Sequence, residues 1–307
     1  MRISEAVKLV IIFLILNCLT LFSVNCQETD SLRLFSNRRI ISGITASIIY
    51  PATMTALYKL WYKENMHSSF QFFNDSDEWL IQDKIGHSAA SYTIGKVGYK
   101  TMKWCGYSDK KSVWIGGVSG FLFLTSIEIF DGFSKDYGFS LPDIAANSLG
   151  SGFFISQQLL WKEQRISIKF SFHETKYAQY RPNLLGMNHL ERIIKDYNGQ
   201  TYWWSVNIKS FLKRSSCFPA WLNIACGYGA KGMTGAAENM AVYNGKPIPY
   251  FKRSPYFYLS PDIDLSRIPT HSKTLKLIFD ALGNLKFPLP AIEYSRNSGV
   301  IIKGCYF

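Results

Sequence analysis

At 307 residues, the chain has room for one large domain or two small ones. It is 47% hydrophobic and 18% charged, against roughly 25% charge in an average soluble domain. That content excludes disorder, and the polar residues interrupting the apolar runs exclude a multi-span transporter, leaving an envelope protein with some membrane contact. The formal charge of +12 is uneven: residues 1–163 hold 15 Lys/Arg and 14 Asp/Glu, residues 164–307 hold 19 and 8. No nucleic-acid-binding module is visible, so no nucleic acid is expected. A membrane surface or anionic lipid is the expected partner of the basic half, with a merely soluble basic surface as the alternative.

Residues 1–26 have the form of a secretory signal. Arg2 and Lys8 precede an apolar run from Leu9 to Val24, and Val24-Asn25-Cys26 follows. An uncleaved anchor is the alternative. A lipidated Cys18 or Cys26 is another, although each follows an asparagine where a lipidation site wants a small residue. Residues 27–37 read as a polar linker. Residues 40–60 carry no charge before Lys59 and are long enough to span a bilayer or to form a buried core helix. Pro51 within them implies a kink or a break into two helices.

Asp75-Ser76-Asp77 offers capping chemistry for an amphipathic helix over 78–104, stopped by Gly106. A third helix is expected over 112–130, uncharged from Ser112 to Ile127 and ending at Glu128. After a loop, Ser140-Leu141-Pro142-Asp143 has capping-box spacing for a fourth helix reaching Trp161. Beyond Lys162 the texture changes. Residues 165–173 alternate as a half-buried strand, with Ile166, Ile168, Phe170 and Phe172 opposite Ser167, Lys169, Ser171 and His173. Short helices are expected over 188–194 and 202–212, a Gly-rich loop over 219–234 and a turn at Asn244-Gly245. Residues 262–265 look strand-like, 273–282 helical and 299–307 strand-like. Cys105, Cys217, Cys226 and Cys305 lack metal-site spacing and are either packed thiols or disulfide partners.

Three helices each carry a polar pair at helical spacing: Asp83 with His87, Glu128 with Asp131, and Asp143 with Asn147. Residues three or four apart share a helix face, so packed helices would bring the pairs into one pocket. Burying ionisable groups costs several kcal/mol unless they are paired or metal-bound. A divalent metal such as Mn, Mg, Fe or Zn would suit these oxygens and one imidazole. An acid–base site is equally open, with His87, Asp83 and Glu128 catalytic, His87 as base and Asp83 orienting it. The bland readings are an Asp–His hydrogen bond, a solvated Glu128, a capping Asp143 and a network that only fixes helix register. Lys84 is expected on the solvated face.

Asp-Lys-x-x-His at 83–87, Glu-x-x-Asp-Gly at 128–132 and Ser-x-x-Asp-x-x-x-Asn-x-x-Gly at 140–150 together resemble the YfiM-like family of predicted periplasmic lipoproteins. They are distantly similar to VanZ-like membrane proteins, which share the order. Ala178-Gln179-Tyr180-Arg181-Pro182, residues 196–204 and residues 218–229 look like longer members. The resemblance implies an envelope location and no reaction.

The expected fold is α+β. A helical four-helix-bundle-like region over 38–162, with partly membrane-like helices, carries the polar site, and a basic, aromatic mixed α/β region over 163–307 packs on it. The expected function is a ligand- or metal-binding envelope protein acting on an anionic lipid or cell-wall component. The alternative is a non-catalytic assembly or scaffolding protein.

Overall fold

The computed structural model describes residues 31–58, 69–135, 137–213 and 215–306, so the signal-like stretch with Cys18 and Cys26 lies outside the described residues. The architecture is α+β. The chain divides into two compact units, one running to Asp75 and resuming over Ala90–Lys162, the other taking Ser76–Ala89 and Glu163–Phe307.

The first unit is helical. It contains α1 (Ser31–Leu57), most of α2 (Gln82–Trp104), α3 (Asp109–Gly132) and α4 (Leu141–Trp161). The start of α1 lies inside the expected linker, where Ser-Leu-Arg-Leu is a run that tolerates helix well. Arg38 and Arg39 tie α1 down by donating to the carbonyls of Trp104 and Cys105. The helix continues through Pro51, so the expected break into two helices is absent. The one helix among the described residues long and apolar enough to cross a membrane is α3, not residues 40–60, of which 59 and 60 lie outside the description.

Small residues let these helices meet backbone to backbone. A Cβ on Gly120 of α3 would stand 2.1 Å from the Ser91 carbonyl oxygen of α2. Only glycine permits that approach. After α3, Phe72 and Phe73 (β1) pair in parallel with Phe139 and Ser140 (β2), and the Phe70 ring packs on Phe72, Phe133 and Phe139. The pairing delivers Ser140 to the start of α4, where its hydroxyl accepts the Asp143 N–H at 3.1 Å.

The second unit is built on an antiparallel sheet of β3 (Ile166–Phe172), β4 (Gln200–Asn207), β5 (Leu222–Lys231), β8 (Ser254–Ile263), β9 (Leu289–Ser295) and β10 (Gly299–Tyr306). The spatial order β10-β9-β8-β5-β4-β3 makes it a meander. Two short helices, α5 (Pro182–Leu185) and α6 (His189–Lys195), link β3 to β4, and α7 (Lys273–Leu282) links β8 to β9. The turn at Asn244-Gly245, both with positive φ, closes the small hairpin of β6 (Val242–Tyr243) and β7 (Lys246–Pro247).

Two expectations fail here. The helix over 202–212 is strand β4 followed by a 3-10 turn over Ile208–Phe211, because the aromatic and β-branched residues suit a pleated surface better than a helix. The Gly-rich loop over 219–234 is mostly strand β5. Its Gly227 leaves room for the fully buried Trp203, since a Cβ there would stand 2.7 Å from the indole.

β3 is a strand as expected, but its polar side is not wet. Ser167, Lys169 and Ser171 are all buried. Register explains this. Lys169, Trp203, Gly227, Tyr258 and Glu293 form one row across the sheet on its inner side. The neighbouring row, Ile168, Trp204, Cys226, Leu259, Ile292 and Ile302, lies on the other face, which is covered at Ile168 and exposed from Cys226 to Ile302. Inside, Asp262 Oδ2 lies 2.6 Å from Lys169 Nζ and accepts from Ser205 Oγ, while Lys286 Nζ stands 3.7 Å from its other oxygen. Glu293 pairs with Lys231 at 2.8 Å and Lys303 at 3.7 Å. Among the described residues Cys105, Cys217, Cys226 and Cys305 are free thiols, so no disulfide forms among them.

Candidate functional site

In the sheet unit, the chain enters α2 through Trp79, Leu80 and Ile81, whose φ angles are 52°, 51° and 60°. A left-handed backbone costs roughly 1–2 kcal/mol per non-glycine residue, so this turn must be held by its surroundings. The Trp79 N–H donates to the Ala236 carbonyl at 2.9 Å, and the Leu80 carbonyl accepts from Tyr228 OH at 2.6 Å. Trp79 packs with Ala178, Leu185, Ala230 and Met233. The α-helix therefore begins at Gln82, four residues later than the expected start at Glu78. Gln82 is fully buried and donates to the Gln200 carbonyl at 3.0 Å.

This anchored first turn carries Asp83 and His87. Asp83 Oδ1 accepts from Tyr197 OH at 2.5 Å, and its Oδ2 lies 2.9 Å from Lys84 Nζ. Lys84, expected in solvent, instead folds back on its neighbour with only 13% of its side chain exposed. His87 Nε2 is 3.9 Å from Asp83 Oδ1, longer than a direct hydrogen bond. Behind them, a Cβ on Gly86 would stand 2.8 Å from Tyr202 OH, which donates to Gln200 Oε1. Burial first, and then the Asp83 charge, push the Tyr202 phenol above its ordinary range.

The helical unit holds the remaining positions. Glu128 is 1% exposed, near the end of α3, and its Oε2 accepts the Ser140 N–H at 3.3 Å. In an ordinary capping box the acid three residues into the helix takes that amide; here Glu128 of another helix does so. Ser140 Oγ in turn donates to Asp75 Oδ1 at 2.6 Å. Asp143 and Asn147 are both buried on α4. The Asn147 carbonyl accepts from Ser91 Oγ at 2.7 Å, and the same hydroxyl meets Ser151 Oγ at 2.9 Å. Asp131 is half-buried in the last turn of α3, its carbonyl accepting from the Ser134 N–H.

Glu128, Ser140 and Asp143 thus gather at one end of the helical unit, and Asp83 and His87 share the first turns of α2 in the other. Sequence reasoning missed Ser91, whose signal was available: it continues the 83, 87 spacing by one more turn. It also missed Tyr197, which lies 114 residues from Asp83 and gives no local signal.

A family model described as "Predicted periplasmic lipoprotein (DUF2279)" matches residues 71–158, a segment containing all six candidate positions. The chain is accordingly an exported protein of the cell envelope. No curated protein and no solved structure matches it.

Proposed function

We propose that this envelope protein holds a divalent cation through Asp83, His87, Glu128, Asp131, Asp143 and Asn147, and uses it to bind an anionic lipid or cell-wall component beside the membrane. The observation carrying this reading is the burial of Glu128 and Asp143, 1% and 4% exposed, on consecutive helices. Carboxylates withdrawn from water cost several kcal/mol each unless something compensates them. Asp83 and His87 join the set through the polar spacing that they share with it in sequence. Within the helical unit, Ser91 of α2 meets Asn147 and Ser151 of α4, and Tyr99 meets Phe154 and Gln158 farther on. The two helices therefore run in the same direction. One turn before Ser91 stands His87 and two turns before it Asp83; one turn before Asn147 stands Asp143. The YfiM-like and VanZ-like resemblance rests on these same residues.

Oxygen ligands with a single imidazole fit Mg, Mn, Fe or Zn. His87 supplies a nitrogen ligand, or a base when the cation sits on the carboxylates alone. Asp83 already serves Tyr197 and Lys84 at hydrogen-bond distance, which favours a ligand or positioning role over an Asp–His dyad.

A titration tests this. Chelator-treated full-length protein is titrated with Mg²⁺, Mn²⁺ and Zn²⁺. One-site binding lost in Glu128→Gln supports the reading; no binding of any of the three overturns it. The second reading is a scaffolding protein with a structural polar set, favoured by the Glu128 contact to the Ser140 N–H. Under it, Glu128→Gln keeps an acceptor for that amide and changes no ligand binding.

A further inference from the structure

The C-terminal sheet is inside out by the standard of a sheet wetted on one face. Such a sheet packs apolar side chains inward and turns polar ones to water. Here the inner row carries Lys169 and Glu293 beside the aromatic rings of Trp203 and Tyr258, with Asp262 between two lysines, and all are buried. Outward, Ile302 is 77% exposed, Val300 67%, Phe257 50% and Leu259 46%. A shallow apolar groove on this face runs between Ile224, Leu259, Pro261, Pro290, Ile292 and Ile302. Apolar-out and polar-in alternation along antiparallel strands is what a sheet bathed in hydrocarbon requires.

A second feature points the same way. Leu275, Ile278 and Leu282 recur at helical spacing on α7 and are exposed, followed by exposed Leu285 and Phe287. Lys273 and Lys276 are exposed on the same helix. That combination is an interfacial amphipathic helix. It follows the end of β8 where the Asp264 N–H meets the Trp221 carbonyl. Trp221 and, after β4, Phe211 and Leu212 are exposed as well, beside exposed Lys213. Aromatic rings with lysines mark the level where acyl chains give way to headgroups. Charge agrees, since residues 164–307 hold 19 basic against 8 acidic side chains.

We propose that this outward face, rimmed by Phe211, Trp221 and α7, is a lipid-contacting surface. Acyl chains cover the apolar strands, and Lys213, Lys273 and Lys276 meet anionic headgroups. The proposal stands independently of the cation reading.

Cys226 offers a native reporter, being exposed and central in the outward row. An environment-sensitive dye is attached there in the full chain, with the other cysteines changed to Ser and the fold checked by circular dichroism. Vesicles of phosphatidylcholine with phosphatidylglycerol are then added. The expected result is a blue shift of emission and quenching by nitroxides on the acyl chains. Vesicle binding that leaves the dye open to aqueous iodide would mean another segment makes the contact, and overturns the proposal; so does no binding. A blue shift that grows with protein concentration before any vesicle is added would assign the face to a second copy and also overturns it. Lys273→Gln and Lys276→Gln are expected to weaken binding to anionic vesicles about fivefold each. Unchanged binding would remove the headgroup role.

Discussion

In the sheet unit the buried Asp262 lies between the ammonium groups of Lys169 and Lys286, and Glu293 between Lys231 and Lys303. In the helical unit the buried Glu128 is met by the backbone amide of Ser140. Both units therefore place ionisable groups inside, and the sheet balances its carboxylates with lysines of its own chain. The Ser140 amide stabilises the Glu128 charge without neutralising it. Under the proposed function a cation from outside shares the Glu128 carboxylate.

The sharpest way to break this comparison is to neutralise one carboxylate in each unit. Asp262→Asn leaves Lys169 and Lys286, both fully buried, without their counter-ion. It should cost about 3–5 kcal/mol in denaturant unfolding. Close packing comes next. Gly120→Val drives side-chain atoms into the Ser91 carbonyl and should cost about 1–3 kcal/mol, read as a lower thermal midpoint. In contrast to Asp262→Asn, Glu128→Gln in chelator-treated protein should change stability by no more than about 1 kcal/mol, because the amide oxygen still accepts from Ser140. A large loss there would mean the helical unit closes its charge as the sheet does.

The smallest effect is at the surface. The His189 hydrogen bond first, and Arg192 second, hold the exposed Glu174 carboxyl below its ordinary value of 4.5. Its contribution is therefore present at neutral pH and is lost as pH falls below that value. Glu174→Gln should lower stability at pH 7 by no more than about 1 kcal/mol and remove that part of the acid dependence.

The helices were legible because capping and periodicity agree there: Ser140 with Asp143, the uncharged run of α3, and the spacing of Asp83 and His87. The sheet was less so. Gly227 in β5 looks like loop chemistry, yet it only seats an indole carried by another strand. Alternation in residues 165–173 revealed a strand but not that both its sides are covered, because that depends on what the rest of the chain brings to each face. The left-handed turn at Trp79–Ile81 contradicts the local preference of all three residues and follows from contacts to Tyr228 and Ala236, more than 140 residues away. Of the candidate site, the ligand-type residues were readable; Tyr197 and the amide held by Glu128 were not, being products of long-range packing.

The most direct measurement of the central claim is the metal content of full-length protein purified without chelator, by elemental mass spectrometry, beside folded His87→Ala and Glu128→Gln variants. About one divalent metal per chain in the wild type, lost from both variants, is the predicted result. A metal-free wild type that also binds none on addition, with the variants merely less stable, would contradict it.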